Sequence, residues 1–180
     1  MVRKTTKKEL IESIKIVRLY GNRMLDGLKE NEVIWVAENT KSTPIIDQLR
    51  HLLNSEAYWM KMIEEEGFNY VSRKTGFKDM VEIFNRNESK ILELIEKAED
   101  DELILRLPEW DGARYQNLKK RGTLAWKIYR GSIMHMIHHF GQIAHIRFAL
   151  ENPPADKIDG RPDPWGYVMD KLIFLAHSDE

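Results

Sequence analysis

The sequence contains no cysteine among its 180 residues. That excludes disulfides, thiolate metal sites and a cysteine nucleophile, so any metal must be held by nitrogen and oxygen donors. It has no excess of charge of either sign: 28 Lys and Arg face 29 Asp and Glu, for a formal net charge of −1. A phosphate-binding face needs a surplus of Lys and Arg, so nucleic acid is not expected as a partner. Long apolar runs are missing too. No window approaches the roughly 18 apolar residues of a membrane span, and the opening M-V-R-K-T-T-K-K leads into an amphipathic segment, not into the apolar core of a signal peptide. The expectation is a cytoplasmic protein without a membrane partner.

Several catalytic signatures are absent as well. The residues after His135 are Met136, Ile137 and His138, which is not the H-E-x-x-H of a zincin, and no set of Glu-x-x-His pairs marks a di-iron bundle. Phosphate-cradling and nucleophile-elbow glycine motifs do not occur.

What is present centres on Gly131 to Leu150, which holds four of the six histidines. His135 and His139 are four apart and share one face of a helix, the spacing of two imidazoles that converge on one metal ion. With about 100° per residue, His138 and His145 fall together on a neighbouring stripe. Ile133, Ile137, Phe140 and Ala144 occupy the far side, so the helix is expected to be covered nearly all round, as a central helix or one lining a dimer interface. Asn152-Pro153-Pro154 forbids its continuation.

The rest of the chain supplies partners for this helix. Thr6 and Glu9 form a capping-box pattern that opens a first helix, with Leu10, Ile14, Val17, Met24, Leu25 and Leu28 inward. Lys7, Lys8, Lys15, Arg18 and Lys29 read as its solvated face. Gly21 suits a close approach to another helix, and residues 31–40 read as a connection. Ser42-Thr43-Pro44 signals a second helix, with a hydroxyl N-cap and proline at the first position, running to about Glu66 before Gly67. A loop to Gly76, a third helix from Phe77 to Ala98 and a stretch L-I-L-R-L-P-E-W-D-G, either small strand or extended arm, lead to Gly122-Thr123 and the fourth helix. After a Gly- and Pro-rich loop, residues 167–176 suit a short last helix that covers one end. No linker or repeat divides the chain, so one domain spanning residues 1–180 is expected.

Four amphipathic segments joined by loops predict an all-α four-helix bundle, where metal sites are built from facing helices. His51 lies on an inward stripe of the second helix with Ser55, Tyr58 and Met62. His51, His135 and His139 would then supply three imidazoles from two helices, leaving open positions as in a catalytic site. The competing reading makes all three packing or hydrogen-bonding histidines. Gln142 suits helix packing or orientation of a ligand; Tyr58, Trp59 and Trp165 suit the core or pocket walls. His138 and His145 suit an interface or a supporting position.

H-F-G-Q-I from His139 to Ile143, preceded by His135, resembles the signature of the DinB/YfiT-like family of metal-dependent enzymes. R-H-L-L-N-S-E-A-Y-W, around His51, is similar to that family's second helix, and the likeness covers nearly the whole chain in helix order and length. Members commonly have Arg after the second histidine, where this chain has Phe140. The resemblance implies a DinB-type bundle with a divalent metal, often nickel or zinc, held by His51, His135 and His139. Characterised relatives include thiol-dependent S-transferases and a mycothiol-dependent maleylpyruvate isomerase, and members are often homodimers. The expectation is therefore a metal-dependent enzyme acting on a small molecule, by thiol S-transfer with a low-molecular-weight thiol or by hydrolysis with bound water. The alternative is a stress-related small-molecule-binding bundle in which the metal is structural or absent.

Overall fold

In a computed structural model, residues 5–38, 42–64, 66–106, 115–154, 157–158 and 161–162 are described. Helix α1 spans Lys7–Leu25. Thr6 caps it as the sequence suggests: its hydroxyl accepts from the Glu9 amide at 3.1 Å while the Glu9 carboxylate accepts from the Thr6 amide at 2.7 Å. At the other end the terminal carbonyls, which no intrahelical N–H can reach, are taken up by Arg147. Its Nη1 donates to the carbonyls of Arg23, Met24 and Asp26 at 3.1, 3.1 and 2.8 Å.

The connection expected over residues 31–40 begins with a four-residue helix, α2, Glu30–Val33. Helix α3 then spans Ile45–Met60. Pro44 is its N-cap in extended conformation, one position earlier than the sequence signal implied, and no side chain caps the amides. The Gln48 amide nitrogen instead donates to the Thr43 carbonyl at 2.9 Å. The helix also stops short of the expected Glu66. Asn54 explains this, since it bonds both the amide and the carbonyl of Val71, at 2.7 and 3.2 Å, and draws the returning chain back along α3. Phe68, fully buried on that return, could not reach the core from a continued helix.

Helix α4, Phe77–Lys97, matches its expected span within a residue. Residues 103–106 form an arm: Thr5 donates to the Leu103 carbonyl at 3.2 Å, and the Thr123 hydroxyl donates to the Ile104 carbonyl at 2.5 Å. The remainder of the L-I-L-R-L-P-E-W-D-G stretch lies outside the described residues. A short helix that the sequence reading missed, α5, spans Tyr115–Lys120. The fourth long segment is then composite. Helix α6, Leu124–Ile128, is capped by Thr123; a π-helical turn covers Tyr129–Met134; and α7 runs over His135–Ala149. Two-residue strands β1, Lys157–Ile158, and β2, Arg161–Pro162, pair antiparallel with Lys157 opposite Pro162. The short last helix expected over 167–176, and Trp165 with it, lie outside the described residues.

The architecture is thus all-α apart from that small pair. Helix α1 packs on α4 and α7, and α3 packs on the same two, so the four long segments close a ring around one apolar core. Gly21 permits the closest approach: a Cβ there would stand 2.5 Å from the Phe140 ring and 2.7 Å from that of Phe84. No helix among the described residues is long and apolar enough to cross a membrane.

Two expectations need correction. Arg18, read as solvated, is 1% exposed. Its guanidinium pairs with the fully buried Glu56 carboxylate, donates to the Phe84 carbonyl at 3.0 Å and stacks on the Phe84 ring at 4.2 Å. Asn87 donates to the other Glu56 oxygen at 2.9 Å. A charge can enter a core when its partners enter with it. The fourth segment, moreover, is not covered all round: Met134 is 56% and Phe148 65% exposed, on a ridge shared with Arg130, His138, Gln142 and His145.

Candidate metal centre

Helices α3 and α7 run antiparallel. Trp59, near the end of α3, covers Gly131, where a Cβ would stand 2.6 Å from the indole. Two turns earlier on α3, His51 meets His135 and His139. The three rings form a nearly equilateral triangle, with centroids 4.9, 4.9 and 4.7 Å apart. Their Nε2 atoms point inward: His135 Nε2 is 3.1 Å from His51 Nε2 and 3.1 Å from His139 Nε2. His51 is exposed and the other two are half-buried, so the cluster opens to one side.

Imidazoles alone satisfy this arrangement poorly. A ring nitrogen carries either one proton or one lone pair, so His135 Nε2 cannot make a full hydrogen bond to both neighbours at once. A shared cation resolves the conflict by taking all three lone pairs. Ligands at about 2.0–2.1 Å from a tetrahedral ion stand about 3.3–3.4 Å from one another, and about 3 Å apart at right angles. The observed 3.1 Å edges lie between these values. The three histidines are therefore close enough to hold one metal ion.

The electrostatics agree with ligand duty. Burial, followed by the neighbouring imidazoles of His139 and His51 and then the charge of Arg130, lowers the His135 pKa from 6.5 to about 4. His139 is lowered too, by burial and then by His51. Both rings are thus held in the neutral form that a metal requires. Their Nδ1 atoms are buried and have no hydrogen-bond partner in the protein.

The other candidate residues divide. His138 stacks edge-on to His139 at 5.0 Å but faces outward, and Gln142 Nε2 lies 3.2 Å from His138 Nε2. With His145, Gln48, Ser42 and Thr43, these two line a cavity of about 540 Å³ beside the centre. Tyr58 and Trp59 belong to an aromatic cluster beyond the opposite end. Trp59 is 5% exposed, packs edge-on to Tyr58 at 5.6 Å and Trp126 at 5.4 Å, and carries Lys119 over its ring at 5.2 Å. It is core first. Sequence reasoning missed Arg130, since the π-turn that places it beside His135 leaves no mark in composition.

Fold and site together define an all-α helical bundle with a candidate three-histidine metal centre. The chain matches no protein-family model, no curated protein and no solved structure.

Proposed function

We propose that this protein is a metal-dependent enzyme acting on a small molecule, with one divalent ion held by His51, His135 and His139. The observation that carries the reading is the convergence of the three Nε2 atoms, with two edges of 3.1 Å, on a side open to solvent. Three protein ligands leave positions for water or substrate, the pattern of catalytic rather than structural sites. An ion there would supply either a water acidified towards a pKa of about 7 or a thiol held as thiolate. The protein's own part is to keep His135 and His139 neutral, to fix the angle between α3 and α7 through the Gly131–Trp59 contact, and to offer the adjoining cavity as room for a substrate.

The fold type belongs to the same proposal. The order of the helices and the H-F-G-Q-I sequence on α7 favour a DinB/YfiT-like bundle, and with it zinc or nickel and thiol S-transfer ahead of hydrolysis. A homodimer on the exposed Met134 and Phe148 ridge completes the reading.

Elemental analysis of untagged protein, alongside His51→Ala, tests it. Near one equivalent of zinc or nickel in the wild type, lost in the variant, supports the centre; thiol turnover abolished by a chelator then supports catalysis. Absence of metal after reconstitution with both ions would overturn the proposal and leave three hydrogen-bonding histidines.

A further inference from the structure

Three neutral imidazoles bring no charge to a divalent ion, which keeps its +2 unless something else supplies an anion. Carboxylates hydrogen-bonded behind the ligating rings often do so. Here none stands behind His135 or His139, whose Nδ1 atoms are buried and unpartnered. The charged groups bearing on these rings are the other histidines and Arg130, with no Asp or Glu among them. Compensation has to come from what binds.

Arg130 is placed to take part. In a continuous α-helix, residues five apart stand about 140° apart round the axis. The π-helical turn over Tyr129–Met134 closes between residues five apart, which brings such residues towards one side. Arg130 thus precedes His135 by one wide turn, at the start of the exposed ridge that continues through Met134 and His138. Among the described residues its guanidinium makes no hydrogen bond or ion pair. Lys119, by contrast, lies over the rings of Tyr58 and Trp59.

We propose that the centre takes a small molecule with an anionic head, a carboxylate or phosphate, which Arg130 holds while the molecule's reacting end lies at the three histidines. This rests on the metal reading above. A planar guanidinium suits such heads because it can donate two parallel hydrogen bonds to them.

The test uses cobalt(II)-loaded protein and two thiols, mercaptoacetate and 2-mercaptoethanol, which differ in the head group; the thiolate-to-cobalt absorption band reports binding without any turnover. Wild-type protein should prefer mercaptoacetate by about tenfold, the scale of one charge-assisted contact. Arg130→Gln should reduce the preference to about threefold or less, and Arg130→Lys should keep part of it, since charge without the fork remains. Both variants should bind one equivalent of cobalt, because Arg130 is not a ligand. An unchanged preference in Arg130→Gln would overturn the inference and leave the metal centre standing. Failure of the wild type to bind cobalt would overturn the metal reading itself.

Discussion

Replacing Glu56 with alanine should expose how the bundle tolerates a charge at its centre. Arg18 is 1% and Glu56 0% exposed, and the guanidinium's charge partner in the core is that carboxylate. Removing one member of a buried pair leaves the other ionised without compensation, a loss of about 3–5 kcal/mol. Asn87, which donates to the same carboxylate, loses its acceptor as well. For a chain of this size about 2–4 °C of melting temperature accompanies each kcal/mol, so the midpoint should fall by roughly 6–20 °C. The companion variant, Arg18→Met with Glu56→Leu, removes both charges and refills the volume, and should recover most of the loss apart from about 1–3 kcal/mol for the orphaned Asn87 amide. Urea unfolding followed by circular dichroism measures both. A cost below about 1 kcal/mol for Glu56→Ala, or a double variant no more stable than the single, would show that the pair is hydrated and refute the reasoning.

Other outcomes follow from the same contacts. Since the fold lowers the His135 pKa to about 4, the unfolded chain takes up that proton first as pH falls below 6.5; the metal-free protein should lose stability between pH 6.5 and 4, then level off. His135→Gln should flatten that part of the profile, and urea midpoints parallel to wild type across the range would contradict the assignment. Gly131→Val should cost about 1–3 kcal/mol by overpacking and shift Trp emission, because its Cβ would overlap Trp59, whereas Gly141→Ala, which meets nothing within 4 Å, should be neutral or stabilising. Equal effects at the two glycines would refute the packing argument. Arg147→Met should speed amide exchange at the end of α1, where the guanidinium holds three carbonyls; protection unchanged around Asp26 would show that the cap is dispensable.

The sequence disclosed the histidines because their signal is local. His135 and His139 are a turn apart, and His51 shares a stripe with residues that want burial. Thr6 with Glu9, and the span of α4, were legible for the same reason: short-range pattern decides them. Arg18 was misread because charge alone says nothing about partners that arrive from 38 residues away in the chain. The end of α3 was misread because Asn54 and Phe68 settle it through tertiary contacts. Arg147 looks like any basic residue at a helix C-terminus until α1 is brought against it. The exposed ridge was hidden for a different reason: Met134 and Phe148 have the letters of a core and the placement of a surface.

The wide turn over Tyr129–Met134 makes the fourth segment intolerant of changes in length. Deleting one residue there would let the chain relax into an uninterrupted α-helix, with every backbone bond intact. Each residue beyond the deletion would then rotate by about 100° and advance by about 1.5 Å relative to those before it. His135 and His139 would swing away from His51, and Phe140 would leave the gap that Gly21 keeps open. Substitutions along this helix can be tested one contact at a time, but a single-codon deletion would uncouple the bundle from its centre in one step.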